Sequence, residues 1–67
     1  MIRVILNGQP AEIEAGLTVA GLLEQRQLAG KRLAVERNGD IVPRARHGET
    51  QLVDGDRLEI VVAVGGG

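Results

Sequence analysis

The sequence predicts an α+β domain in which a mixed sheet of about four to five strands carries one helix on one face. Three observations predict it. Asn7-Gly8 and Asn38-Gly39 each follow a run of strand-forming residues, and both match the tight hairpin whose central positions need positive φ. Between them lies a single stretch with helical spacing, in which Val19, Leu22 and Leu23 fall on one face. The run from Arg57 to Val64 then alternates as the longest strand.

The elements follow in order. Ile2-Arg3-Val4-Ile5-Leu6 is apolar and mostly β-branched, which suits a pleated, half-buried strand. Pro10 to Glu14 returns from the first turn, and Pro10 predicts a position on the sheet edge, where a missing N–H does least harm. Ala15-Gly16 breaks that strand, and Thr18 is the expected helix N-cap. Gly21 costs the helix about 1 kcal/mol against Ala, and a close approach of helix to sheet would explain it. Gly30 is the expected C′ residue, with Leu28 folding back onto the core. Leu33 to Arg37, a short Asp40-Ile41-Val42 segment stopped by Pro43, a polar irregular stretch from Arg44 to Thr50 and a turn at Asp54-Gly55-Asp56 complete the chain before its last strand. Two hairpins flanking one helix, with the last strand entering the middle of the sheet, make the β-grasp (ubiquitin-like) arrangement. The expected organisation is a β-grasp domain over residues 1–64 and a flexible glycine tail over residues 65–67.

Composition narrows the chemistry. The chain of 67 residues has no Cys and no aromatic residue, so its thin core must come from Leu, Ile, Val and Ala, without disulfide or cysteine-bound metal. It also has no Ser or Tyr, one His and one Lys, which excludes a Ser or Cys nucleophile. A protein acted on by enzymes fits better than an enzyme, and no bound cofactor or metal is expected. A formal net charge of −1 gives no footprint for nucleic acid. The longest apolar run, Ile60 to Val64, is far too short to cross a bilayer, and no cationic leader precedes the first strand. A cytoplasmic, monomeric protein is expected.

The alternation of the outer strands has a functional side. Leu58, Ile60, Val62 and Val64 share one face of the last strand, while Arg57, Glu59, Val61 and Ala63 share the other. With the helix on the first face, Ile5, Val61 and Ala63 remain as apolar residues on the opposite one. They read either as scattered surface apolars or as a docking surface for a partner enzyme.

The chain then ends in Gly65-Gly66-Gly67. Glycines have nothing to pack and lose most entropy on ordering. Such an end is also what a frayed terminus gives, but on this domain it suits activation by another protein. A carboxylate that must reach the α-phosphate of ATP in a narrow channel cannot carry side chains beside it. Adenylation would make the Gly67 carboxylate a good electrophile, and sulfide or a persulfide could then displace AMP to leave a thiocarboxylate. Without cysteine, the C-terminus is the one place in the chain where sulfur could be carried.

Several motifs together resemble a known family. They are Leu6-Asn7-Gly8, the run from Leu17 to Leu23, the run from Leu33 to Arg44 containing Asn38-Gly39-Asp40-Ile41-Val42-Pro43, the run from Asp54 to Val61, and Ala63 to Gly67. End to end the chain is similar to the ThiS family, the bacterial sulfur carriers of thiamine biosynthesis. The terminal glycines are shared with other sulfur carriers and with ubiquitin-like modifiers. The Asn-Gly-Asp-Ile-Val-Pro-Arg run, the Asp-Gly-Asp turn and the short length favour the thiamine branch.

The resemblance implies adenylation of Gly67 by a ThiF-like enzyme that uses ATP, with Gly65 and Gly66 threading that enzyme's active site. It further implies sulfur from a cysteine desulfurase and delivery of the thiocarboxylate to a ThiG-like thiazole synthase. Many members carry a tryptophan shortly after the Pro-Arg, where this chain has Ala45-Arg46-His47, with His47 in its place.

Other candidates read as structural. His47, in a polar loop without a second ligand, is expected on the surface. Asp54 and Asp56, which flank Gly55, are expected to bond local backbone and shape a turn rather than to hold a metal. Arg44 and Arg46 are expected in solvent. Competing functions are a molybdopterin-synthase small subunit, whose chains are longer and richer in phenylalanine, and a ubiquitin-like modifier. A TGS-like regulatory or RNA-binding module would need a basic, aromatic face that this sequence lacks.

Overall fold

A computed structural model describes residues 1–63, and its sheet shows how the chain's last strand is placed. Strands β1 (Ile2–Leu6), β2 (Gln9–Ile13), β3 (Leu33–Arg37), β4 (Asp40–Ile41) and β5 (Arg57–Val62) form one sheet in the order β2-β1-β5-β3-β4. β5 lies at the centre, parallel to β1 and antiparallel to β3. Helix α1 spans Val19–Gln25. The expected α+β architecture is the one observed. Val64 and the glycines at 65–67 lie outside the described residues, so the expected domain boundary after residue 64 does too.

Turn chemistry sets both hairpins. Asn7 and Gly8 have φ of 49° and 82°, and Asn38 and Gly39 have 54° and 90°, the doubly positive pair that matches the twist of the strands they join. Pro10 sits opposite Ile5 on β2, an edge strand, as its missing N–H requires.

Helix α1 is capped at both ends by specific partners. The Thr18 hydroxyl accepts from the Gly21 N–H at 3.1 Å. The Val19 and Ala20 N–H groups donate to the carbonyls of Thr50 and His47, each at 2.9 Å. The polar loop after Pro43 is therefore tied to the helix by its backbone, and satisfies donors that every helix N-terminus leaves open. It contains a 3-10 turn at Arg44–Arg46.

The C-terminus differs from expectation. The left-handed C′ residue is Gln27, at φ 60°, three residues before the expected Gly30, with Arg26 at the C-cap. Leu28 N–H donates to the Leu23 carbonyl at 2.7 Å and Gln27 N–H to Glu24 at 3.0 Å, which is a Schellman motif. Packing of Leu28 against the core holds Gln27 in that conformation. Gly30, at φ 82°, serves the next turn, closed by Lys31 N–H to the Leu28 carbonyl.

The reason for Gly21 also differs. A Cβ there would come within 2.7 Å of Leu17 Cδ1, from the residue before the cap, and not against the sheet.

The core contains Val4, Ile13, Val19, Leu22, Leu23, Val35, Leu52, Leu58 and Ile60, all on the helix side of the sheet or in the segments that close over it. Leu52 was not legible as core. Its N–H bonds the Leu17 carbonyl, and Thr18 and Gln51 form an isolated antiparallel bridge that draws it inward.

Candidate functional site

The sequence places the site at the C-terminal end of β5 and in the residues beyond it, so the hold on that strand decides where the tail begins. On one side β5 is bonded to β3, with Leu33 opposite Val62 and Ala34 opposite Val61. The Ala63 N–H extends this side by donating to the Arg32 carbonyl at 2.9 Å. On the other side β1 ends early, level with Leu58.

Asn7 takes over where β1 stops. Its side-chain oxygen accepts from the Ile60 N–H at 2.8 Å, and its amide nitrogen donates to the Ile60 carbonyl at 3.2 Å. One side chain thus reproduces both bonds of a strand residue. The turn residue at the first hairpin splints the strand that leads to the tail.

The outer face separates two groups that the sequence placed together. Val61 is 63% exposed, with Ala34 directly across and Ala63 two residues on, and these three form a small apolar surface at the strand's end. Ile5 is half-buried and level with Arg57, four residues back along β5, or about 13 Å at the rise of a strand. It stands apart from Val61 and Ala63. Glu36 and Glu59 face one another directly beside the Ala34–Val61 pair.

Asp56, expected to be a turn former, does more. It is 3% exposed, and its carboxylate accepts from Arg37 Nε at 2.9 Å, Asn38 Nδ2 at 3.0 Å and the Val53 N–H at 2.9 Å. Burial pushes the Asp56 carboxyl up. The hydrogen bonds from Arg37, Val53 and Asn38, with the Arg37 charge, outweigh it and hold the group below the ordinary aspartate value. Asn38 also accepts from the Arg57 N–H at 2.9 Å, so the second hairpin is locked to the start of β5. Asp54 accepts from the Arg3 N–H at 2.8 Å, a tie to β1 rather than half of a metal site. Among the described residues no group of three or more His, Cys, Asp or Glu could hold a metal ion.

His47 corrects a second expectation. It is buried at 8% exposure, not on the surface. The 3-10 turn carries its ring inward, where Nε2–H donates to the Val42 carbonyl at 3.0 Å. Arg44 and Arg46 are exposed, as expected for solvated loop arginines. No helix among the described residues is long and apolar enough to cross a membrane.

The model of the ThiS family matches residues 4–67, almost the whole sequence. The chain belongs to the ThiS family. Sulfur carrier protein ThiS of Bacillus subtilis is 46% identical over 63 residues, covering 92% of this chain and 96% of the relative. A relative of another kind is a thiazole synthase of Paramagnetospirillum magneticum, 38% identical over 66 residues. That alignment covers 98% of this chain but only 20% of the relative, so the chain spans a fifth of that protein's length. Among solved structures, the crystal structure of the thiamine biosynthesis protein ThiS from Geobacter metallireducens superposes with a TM-score of 0.84 at 30% identity. It covers 98% of this chain and 100% of its own, so the ThiS fold accounts for every element from β1 to β5.

Two features of the site escaped sequence reasoning. Asn7 was legible as a turn residue but not as the splint of Ile60, because its partner is 53 residues away. Ala34, which completes the surface around Val61, carried no signal beyond its place in an alternating strand.

Proposed function

We propose that this ThiS family chain carries sulfur on its C-terminus for thiamine biosynthesis in the cytoplasm, as a protein cosubstrate. In this reading the Gly67 carboxylate attacks the α-phosphorus of ATP on a ThiF-like enzyme, and pyrophosphate leaves. A persulfide supplied through a cysteine desulfurase then forms a C–S bond as the bond to AMP breaks, and a thiol reductant cleaves the S–S bond of the acyl disulfide so formed. The resulting thiocarboxylate donates its sulfur to a ThiG-like thiazole synthase. Gly65 and Gly66 admit the chain end to narrow active sites because they present no Cβ.

The observation that carries this reading is the family match, which runs to residue 67 and so includes the glycines. Composition supports it, since the chain has no Cys, Ser or Tyr to carry or attack a group elsewhere. The thiazole synthase relative supports the choice of acceptor. A chain similar to this one there forms part of a polypeptide named for that synthase, which favours association of carrier and synthase. Val61, Ala63 and Ala34 would make the docking surface beside the strand's end, with Ile5 further back on the same face.

Intact-mass measurement tests the proposal. The chain is incubated with ATP, a ThiF-like enzyme, a cysteine desulfurase, cysteine and a thiol reductant. The expected result is a mass gain equal to one oxygen-for-sulfur exchange, absent when Gly67 is deleted. A demonstrably active enzyme mixture that leaves the mass unchanged would overturn it.

A further inference from the structure

Asn7 and Asn38 are the only asparagines of the chain, and each is followed by glycine. Both pairs are exposed turns at positive φ, and a Cβ added to Gly8 or Gly39 would meet nothing within 4 Å. An Asn-Gly pair is open to an intramolecular reaction, because no Cβ on the glycine hinders approach to its nitrogen. That nitrogen gives its proton to hydroxide and attacks the asparagine Cγ. The N–Cγ bond forms, the Cγ–Nδ2 bond breaks, and ammonia leaves a five-membered succinimide. Water then opens the ring at either carbonyl to give aspartate or isoaspartate, and nothing is oxidised or reduced.

As local sequence the two pairs are equivalent, and the fold makes them unequal. Ring closure turns the carboxamide toward its own backbone and so breaks the hydrogen bonds it makes elsewhere. The oxygens are held alike, Asn7 accepting from the Ile60 N–H at 2.8 Å and Asn38 from the Arg57 N–H at 2.9 Å. The nitrogens are not. Asn7 Nδ2 donates to the neutral Ile60 carbonyl at 3.2 Å, at the end of β5 that β1 does not reach. Asn38 Nδ2 donates at 3.0 Å to the buried Asp56 carboxylate, which Arg37 and Val53 also hold. A bond to a charged acceptor is about twice as strong as a neutral one, and release of Asn38 leaves a buried carboxylate short of a donor. The products differ in the same sense. Aspartate at 38 would set a second carboxylate against Asp56, a like-charge contact that aspartate at 7 does not make.

We propose that Asn7-Gly8 is a self-acting modification site in the folded protein, and that the Asp56 network keeps Asn38-Gly39 from the same reaction. Opening of the Asn7 bonds to Ile60 admits the chemistry, and the product removes the splint permanently. In the aspartate form an oxygen replaces the nitrogen that faced the Ile60 carbonyl, so two acceptors meet. In the isoaspartate form the main chain gains one carbon and the side group loses one, so the carboxylate no longer spans to Ile60. The site ages the far end of β5, where the strand leads to the tail, and leaves its start intact.

Ageing of the full chain at mildly alkaline pH tests this, with one sample folded and one in denaturant. Cleavage after arginine puts Asn7 and Asn38 on separate peptides. Mass spectrometry then reads conversion as a gain of one mass unit, and chromatography separates aspartate from isoaspartate. In denaturant the two pairs should react within about threefold of one another. In the folded chain both should slow, Asn38 by at least about tenfold more than Asn7. Hydrogen exchange of the purified isoaspartate-7 form should show a faster Ile60 amide and an unchanged Leu58 amide.

Conversion of Asn38 as fast as Asn7 in the folded chain would overturn the proposal. So would a folded Asn7 that stays intact over the time in which the denatured chain reacts fully. Equal acceleration of Leu58 and Ile60 in the isoaspartate form would also overturn it, because the damage would not be confined to the end of the strand.

Discussion

The two ends of β5 are held by different means. At its start, Asp56 is buried and saturated by Arg37, Asn38 and the Val53 N–H, and Asn38 reaches across to Arg57. At its far end the strand keeps β3 on one side, and on the other, among the described residues, the Asn7 amide at Ile60. The first end carries charge inside. The second shows Val61 and Ala63 to solvent and carries no charge inside. An anchor and an outlet thus share one six-residue strand. Damage to the anchor should therefore appear as lost stability, and damage beyond the outlet as lost activity.

The largest effect should come past the outlet. Gly66→Phe is expected to leave the thermal unfolding curve unchanged and to abolish thiocarboxylate formation, read by intact mass. Loss of folding in that variant would break the division between the two ends, because the tail would then be a structural element.

The anchor comes next. Asp56→Ala leaves the Arg37 guanidinium without its carboxylate and the Val53 N–H without an acceptor. The Arg37 side chain is 33% exposed and can turn to water, so the loss is about 2 kcal/mol, mostly from the unpaired buried donors, still a large share of the stability of a domain this small. The same network sets an acid limit. The folded Asp56 carboxyl titrates below its ordinary value, so its contribution is complete above the unfolded value of about 4. It is lost as pH falls from there through the lowered folded value. Denaturant melts between pH 6 and pH 2 should show this decline in the wild type. Asp56→Asn, starting less stable, should show a shallower one, and equal slopes would remove Asp56 as the cause.

Asn7→Gly separates splint from turn. Glycine keeps the positive φ that the first hairpin needs, but removes both bonds to Ile60. Two partly buried side-chain bonds predict a loss of about 1–2 kcal/mol. The informative measurement is hydrogen exchange, in which the Ile60 amide should exchange faster while Leu58, at the anchored end, keeps its protection. Uniform acceleration along β5 would show that the strand has no separate outlet.

How much of this arrangement the sequence could show depends on distance along the chain. Asn7-Gly8 and Asn38-Gly39 were legible because a type I′ turn is decided by two adjacent residues. Pro10 reported an edge strand because its missing N–H is a local fact. The expected faces of β1 and β5 held because alternation is local as well. Each miss was a side chain acting at a distance or a packing effect that overrode local preference. Asp56 reads as a turn former until Arg37 and Asn38, 19 and 18 residues away, are brought to it. Gln27 would not be chosen for a left-handed position, and occupies one because Leu28 must turn into the core. His47 looks solvated within its polar neighbours until the Ala20 bond and the 3-10 turn draw it in. The expected glycine tail at residues 65–67 lies outside the described residues.

The smallest expected effect sharpens the comparison from the other direction. Glu36 and Glu59 stand directly opposite one another between the anchor and the outlet, on the outer face of adjacent antiparallel strands. Like charges in that position are destabilising, by the same few tenths to 1 kcal/mol that an opposite-charge pair would contribute. Glu59→Thr removes the repulsion and places a good strand former in the centre of the sheet. It should therefore stabilise the fold by about 0.5 kcal/mol, a gain that shrinks as salt screens the pair. If the outer face docks a partner beside Val61, the same variant should weaken that docking while it strengthens the fold. A two-sided measurement, denaturant midpoint against Kd for the adenylating enzyme, checks it. Opposite signs would mean that the repulsion is retained for a partner's basic residues, whereas a gain in stability with unchanged Kd would confine docking to Ala34, Val61 and Ala63.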